Sequence, residues 1–88
     1  MKIIKIGAVC CPGCLAMKKI WNNIINKYEL DIIELDYDID NDEAKRYNVG
    51  NVLPVVIFLD NNDNELERLI GEQKENKLVE LIEKYRVL

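Results

Sequence analysis

The sequence predicts an α/β protein in the order β-α-β-α-β-β-α, with a four-stranded mixed sheet and helices on both of its faces. Short β-branched runs alternate with longer segments in which apolar residues recur at helical spacing. Near the end of the chain, a stretch rich in turn formers separates two apolar runs, which is typical of a hairpin. The length of 88 residues fits a single domain over residues 1–88.

Local signals mark where the elements begin and end. Pro12 suits the first position of a helix, where its missing N–H would be unpaired in any case. Asp40 followed by Glu43 resembles a capping box. The run at 53–59 is the most apolar in the chain and is predicted to be a central strand, which the turn formers at 60–64 connect to the next strand. The predicted elements are strand 2–8, helix 12–28, strand 30–36, helix 41–48, strand 53–59, strand 65–70 and helix 73–86.

The connections between these elements constrain the sheet. Because a helix joins the first two strands, we expect them to be parallel with a right-handed crossover, and the hairpin, closed by Gly71, adds an antiparallel edge. Trp21 lies on the apolar stripe of the first helix and is expected in the core. The alternating aspartates between residues 36 and 42 lack the glycine and the terminal carboxylate of a calcium loop, so they are interpreted as a cap and turn.

Composition excludes several function classes. The net charge of −4 and the pI of about 4.8 do not match the basic surface of a nucleic-acid-binding protein. No apolar run approaches the ~20 residues that cross a bilayer. The segment Met1–Gly7 is too short and too interrupted for a secretory signal, so a chain that is complete as given is expected in the cytoplasm.

Cysteine and histidine usage narrows the chemistry further. The chain has three cysteines, Cys10, Cys11 and Cys14, within five consecutive positions, and it has no histidine. Such a cluster cannot staple distant segments, which excludes a disulfide-framework fold. The absence of histidine excludes Ser-His-Asp and Cys-His catalysis and any histidine-liganded metal site. Any chemistry must therefore use thiols, carboxylates, lysines, tyrosines or backbone groups.

The motif Cys11-Pro12-Gly13-Cys14 stands where a strand leads into a helix. Cys11 is predicted at the helix N-cap, where unpaired N–H groups and the helix dipole stabilise a thiolate and lower the thiol pKa below its free value of ~8.5. Cys14 lies one turn further on, close enough to form a disulfide with Cys11. Cys11 would attack a target disulfide, and Cys14 would resolve the mixed disulfide.

Other functions of the cysteines stay open at this stage. Zinc or an iron–sulfur cluster needs about four ligands, and the chain offers one pair, a third cysteine and no histidine. Cys10 is either a strand-end residue facing away from Cys11 or an alternative partner for Cys14. A thiol-based metal binder or sensor, and a binding module on the same fold without turnover, remain alternatives to an enzyme.

The element order, the C-P-G-C motif at the first strand-to-helix junction and the Val52-Leu53-Pro54 segment some forty residues later resemble the thioredoxin superfamily. The resemblance covers nearly the whole chain, and the size is similar to that of small thioredoxin- and glutaredoxin-like proteins. It implies a thioredoxin-like fold and a thiol–disulfide oxidoreductase that acts on protein disulfides.

The resemblance also implies roles for individual residues. Pro54 would be a cis-proline facing the cysteines, and Leu53 would offer its backbone to an extended substrate. Pro12 and Gly13 would set the redox poise at the helix start. Independently of the resemblance, the sequence predicts that Ala16, Met17 and the loops at Val9 and Val52 form a shallow apolar surround of Cys11. The resemblance implies a partner reductase as the electron donor, no metal or organic cofactor, no nucleic acid or membrane partner, and a monomer.

Departures from the family pattern concern the surroundings of the motif. Lys5 stands six positions before Cys11, where relatives usually carry a buried acid. We expect Lys5 to reach the surface, or, if it lies near the site, to favour the Cys11 thiolate. Glutaredoxin, a glutathione-dependent reductase, is the rival family, because its motif also begins Cys-Pro. However, Ala8 precedes this motif where a basic residue would hold glutathione, and the Gly71-Glu72-Gln73 stretch lacks the usual double glycine.

Overall fold

A computed structural model describes residues 1–8 and 11–87. Within these residues the elements follow the predicted order, except that the first helix is divided in two. Among the helices described, none combines the length and the apolar character needed to span a bilayer. The elements are β1 (Lys2–Gly7), α1 (Pro12–Ala16), α2 (Lys18–Lys27), β2 (Asp31–Asp36), α3 (Asn41–Lys45), β3 (Val55–Leu59), β4 (Glu65–Ile70) and α4 (Glu75–Tyr85).

The four strands form one mixed sheet in the order β2-β1-β3-β4. β1 and β2 are parallel, with Lys5 beside Glu34 and Gly7 beside Asp36. β3 is antiparallel to both β1 and β4. All five residues of β3 are buried, which confirms the prediction of a central strand. The predicted parallel first pair and the antiparallel edge are also confirmed.

Alternation along the strands creates a core on each face of the sheet. Ile3, Val56 and Phe58 point to the face that α2 and α4 cover, where Trp21 is only 4% exposed. Ile4, Ile6, Val55 and Ile57 point to the opposite face, where Ala44 of α3 packs on them. Helices therefore cover both faces, and Trp21 is a core residue, as predicted.

Met17 interrupts the helix predicted over 12–28. Its backbone stays close to helical, with φ −83° and ψ −6°, and its N–H donates to the carbonyl oxygens of Gly13 and Leu15 at the end of α1. Its side chain is 2% exposed in the core. Apolar residues recur at helical spacing on both sides of this turn, so the sequence pattern does not reveal the break.

The predicted capping box at Asp40 and Glu43 is wrong. No side chain caps α3. The Asp40 carboxylate instead accepts a hydrogen bond from the Asp36 N–H at 2.8 Å, and the Asp36 carboxylate accepts from the N–H groups of Asp38 and Ile39 at 2.8 and 3.0 Å. These aspartates thus organise the turn after β2, and α3 ends at Lys45 instead of continuing to residue 48.

The hairpin between β3 and β4 turns at residues 60–64, as predicted. The Asp60 carboxylate accepts hydrogen bonds from the N–H groups of Asn62 and Asn64 at 2.8 and 2.9 Å, which holds the pKa of Asp60 below its usual value. β4 ends at Ile70, and Gly71 follows it with a φ of 87°, which favours glycine. Gly71 therefore closes the hairpin.

Shortening one buried side chain should lower stability measurably. Ile82 of α4 is fully buried beneath the sheet, whereas Ile39 is 77% exposed. We expect Ile82→Val to reduce the free energy of unfolding by about 0.5–1.5 kcal/mol, because it removes one buried methyl group. Urea unfolding measures the change, and Ile39→Val is the matched control. Equal effects of the two substitutions would contradict the packing described.

Candidate active site

Cys11 and Cys14 lie beyond the carboxyl end of β1, at the start of α1. Cys11 is the N-cap residue with an extended backbone, and Pro12 occupies the first turn of the helix. The Cys11 Sγ accepts a hydrogen bond from the Cys14 N–H at 3.1 Å. The predicted N-cap position of Cys11 is therefore confirmed, and its sulfur is held by a helix N–H that would otherwise be unpaired.

The two cysteines form a disulfide, with their Cα atoms 5.2 Å apart. Both residues are only partly exposed, whereas Pro12 between them is exposed. One sulfur lies at the helix cap, and the other lies one turn inside the helix. The disulfide can therefore open and close without a large movement of the backbone at either cysteine.

Gly7 provides the surface on which the Cys14 sulfur packs. A Cβ atom at Gly7 would lie 2.7 Å from the Cys14 Sγ, closer than such atoms approach in proteins. The last residue of β1 must therefore lack a side chain for the sulfur to occupy this position. Sequence reasoning assigned Gly7 only to the end of the strand, because the contact depends on how α1 folds back over β1.

Pro54 also packs on the motif. The Leu53–Pro54 peptide bond is cis, which confirms the expectation drawn from the family resemblance. A Cβ atom at Gly13 would lie 3.0 Å from the Pro54 Cδ, so the ring packs directly against the backbone between the two cysteines. The Pro54 carbonyl oxygen accepts a hydrogen bond from the Gly71 N–H at 2.8 Å, which ties this loop to the end of the hairpin.

Leu53 is half-buried, and its side chain packs against the core on the α3 face. Within the described residues, no backbone hydrogen bond to the Leu53 peptide is found. The Leu53 peptide groups therefore have no backbone partner among the described residues, in a loop whose next residue, Pro54, packs on the motif. The predicted site residues Cys11, Pro12, Gly13, Cys14, Leu53 and Pro54 come together in one region of the structure.

A cavity of about 470 Å³ opens beside the disulfide. Lys5 lines it together with both cysteines and Trp21. The Lys5 Nζ lies 2.6 Å from the Glu34 Oε1 and 4.8 Å from the centroid of the Trp21 ring, and its side chain is 18% exposed. Lys5 therefore lies near the site, and an ion pair with Glu34 and a cation–π contact compensate the burial of its charge.

Apolar side chains surround the opening. Leu15 is 74% exposed beside the cavity, and Val52 is 53% exposed next to Gly71. Met17 lines the cavity from the core, whereas Ala16 is exposed. Of the residues that sequence reasoning expected around Cys11, Met17 lines this cavity, whereas Ala16 and Val52 are not among its lining residues. Leu15 lines the cavity and was missed.

Two expectations lie outside the described residues: that the loop at Val9 is part of the surround of Cys11, and that Cys10 either faces away from Cys11 or is an alternative partner for Cys14. In the described parts of the chain, no group of three or more cysteine or carboxylate side chains is arranged to hold a metal ion.

Comparison with known proteins agrees with this geometry. The family model "Thioredoxin" matches residues 1–84. Thioredoxin 3 of Plasmodium falciparum is 29% identical over 85 residues, which are 94% of this chain and 47% of that protein, so the chain spans about half of that relative's length. A thioredoxin of Staphylococcus epidermidis is 23% identical over 97% of this chain and 82% of its own length.

Solved structures show the same similarity. Thioredoxin 1 from Thermosipho africanus superposes with a TM-score of 0.83 at 26% identity, over 97% of this chain and 93% of that one. Thioredoxin from Nicotiana alata gives 0.82 at 29% identity, over 96% and 73% of the two chains. The thioredoxin-like fold is thereby confirmed, and so is the predicted class of thiol–disulfide oxidoreductase. The chain belongs to the thioredoxin family.

Proposed function

We propose that this protein reduces disulfides in other proteins through the Cys11/Cys14 dithiol and is itself reduced by a partner reductase. The observation that carries this proposal is the position of Cys11, whose sulfur accepts the Cys14 N–H at the start of α1. A helix N-terminus favours the thiolate, which is the nucleophile in disulfide exchange.

The first step forms a mixed disulfide. The Cys11 thiolate attacks one sulfur of the substrate disulfide, a new S–S bond forms, and the other substrate sulfur leaves as a thiolate that takes up a proton. The partly exposed position of Cys11 and the exposed Pro12 beside it leave this sulfur accessible.

The second step releases the substrate. Cys14 loses its proton and attacks the Cys11 sulfur, which closes the Cys11–Cys14 disulfide and expels the second substrate thiolate. Two electrons thus pass from the protein to the substrate. The packing of the Cys14 sulfur on the Gly7 backbone holds it at the distance that this closure requires.

The Leu53 peptide groups, for which no backbone partner is found among the described residues, support binding of an extended substrate segment beside Pro54. Peptide groups without internal partners can form hydrogen bonds to an added strand. Pro12 and Gly13 lie next to this substrate edge, because Gly13 permits the close approach of the Pro54 ring. A reducing compartment such as the cytoplasm would keep the pair as the dithiol, the form that donates electrons.

Two substitutions in the motif separate the roles of the cysteines. We expect Cys11→Ser to abolish the reduction of insulin by dithiothreitol above the uncatalysed rate, because the attacking thiolate is lost. We expect Cys14→Ser to be inactive in turnover but to accumulate a mixed disulfide, visible by mass spectrometry, because the resolving thiol is lost. The enzyme proposal would be refuted if the wild-type protein accelerated insulin reduction no more than Cys11→Ser does.

The source of electrons distinguishes this proposal from a glutaredoxin-like function. We expect thioredoxin reductase with NADPH to reduce the oxidised protein at least tenfold faster than glutathione at millimolar concentration. The structure favours this outcome, because the partly buried Lys5 ammonium is already paired with Glu34 and Glu72 lies beside the motif. NADPH consumption and thiol titration measure the two rates. Faster reduction by glutathione would support the rival function.

Gly7 tests the placement of the resolving cysteine. We expect Gly7→Ala to shift the thiol–disulfide equilibrium towards the dithiol by about tenfold, because the new methyl group crowds the Cys14 sulfur in the disulfide, whereas a free thiol can rotate away. Equilibration with a dithiothreitol redox buffer measures the change. Gly50→Ala is the matched control, since a Cβ there meets no atom within 4 Å. Equal reduction potentials of Gly7→Ala and Gly50→Ala would contradict the contact between Gly7 and the Cys14 sulfur.

A further inference from the structure

Glu72 is a charged residue in contact with the redox motif. It follows Gly71, whose N–H is bonded to the Pro54 carbonyl oxygen. A Cβ atom at Gly13 would lie 3.2 Å from the Glu72 Cγ and 3.5 Å from its Oε1. The carboxylate therefore lies against the backbone between Cys11 and Cys14, on the same side as Pro54, where a substrate segment would lie.

From this placement we infer that Glu72 determines the charge specificity of the site. It favours disulfides flanked by cationic groups and disfavours anionic disulfides, including glutathione disulfide. The inference rests on the proposed function, because it assigns a substrate class to the same cysteine pair.

The charge of Glu72 is not compensated locally. The residue is exposed, and none of the hydrogen bonds or ion pairs found within residues 1–8 and 11–87 involves its carboxylate. The four residues of the motif carry no ionised basic side chain. A substrate group that approaches Cys11 beside Pro54 therefore passes close to the Glu72 carboxylate, which lies against the backbone of the motif.

Charges on the other side of the opening do not reverse this preference. Lys5 and Lys18 line the cavity, together with the carboxylates of Glu34, Asp36 and Asp40. The Lys5 ammonium is paired with Glu34. The charged side chains that line the cavity are therefore two ammonium groups and three carboxylates, which gives the cavity a net negative charge.

The expected effect follows from the distance between the charges. Taking a separation of about 8 Å between a substrate charge and the Glu72 carboxylate, unit charges in water alter a rate by about two- to threefold. The sign depends on the charge of the substrate. Because the Debye length falls to about 3 Å at 1 M ionic strength, high salt should suppress the effect.

Glu72 also influences the Cys11 thiolate, but this influence is the same for every substrate. This common influence cancels in the ratio of the rate constants for two disulfides of opposite charge. The intrinsic reactivities of the two disulfides cancel when the ratio in a variant is divided by the ratio in the wild type. The comparison therefore isolates the interaction between Glu72 and the substrate.

The experiment measures second-order rate constants of the reduced protein with cystamine, 3,3′-dithiodipropionate and neutral hydroxyethyl disulfide at low salt. Because the two rates change in opposite directions, we expect the cystamine-to-dithiodipropionate ratio to fall about four- to ninefold in Glu72→Gln at low salt. In 1 M NaCl we expect the substitution to change this ratio little. Glu29→Gln is the matched control, because exposed Glu29 precedes β2 at the end of the parallel strands remote from the motif.

The outcomes separate the two proposals. A ratio in Glu72→Gln equal to that of the wild type, with all three disulfides reacting, would overturn the specificity inference and leave the oxidoreductase proposal intact. An equal fall in Glu29→Gln would also overturn it, because the effect would then reflect net charge alone. Absence of reaction with every disulfide, including the neutral one, would overturn the oxidoreductase proposal and this inference with it.

Discussion

The site depends on close packing of backbone around the Cys11–Cys14 pair. The Cys14 sulfur rests where Gly7 has no side chain, and the Pro54 ring rests where Gly13 has none. Each contact joins a different part of the chain to the motif, since Gly7 ends β1 and Pro54 precedes β3. A Cβ atom would not fit at Gly7 and would be crowded at Gly13, so the backbone at these two positions fixes how closely the chain packs around the disulfide.

Electrostatics around this packed centre differ from the pattern that the family resemblance implies. Lys5 occupies the strand position where an acid was expected, and the structure supplies Glu34 on the neighbouring strand and the Trp21 ring as its partners. A lysine that is 18% exposed is tolerable only with such partners. The consequence is a cation–carboxylate pair in the wall of the cavity, where relatives usually carry a single buried acid.

The surface around the cysteines combines features of a protein substrate site. Exposed Leu15 lines the cavity beside the disulfide, and the Glu72 carboxylate and Pro54 lie against Gly13 within the motif. Leu53, which has no backbone partner among the described residues, directly precedes Pro54, and exposed Val52 lies next to Gly71. A backbone edge and apolar contacts bind a polypeptide without regard to its sequence, whereas a fixed charge discriminates between substrates. Affinity for protein disulfides and selection among them would thus come from separate groups.

Local sequence signals determined the order of the elements, the hairpin turn and the N-cap position of Cys11, because proline, turn residues and apolar periodicity act over a few residues. The tertiary structure decided the break at Met17, the use of Asp40 in a turn instead of a helix cap, and the contacts of Gly7 and Glu72 with the motif. These features depend on packing between segments that are distant in sequence, for which local patterns carry no signal. The cis-proline lies between the two cases, since the resemblance implied it and only the fold places it against Gly13.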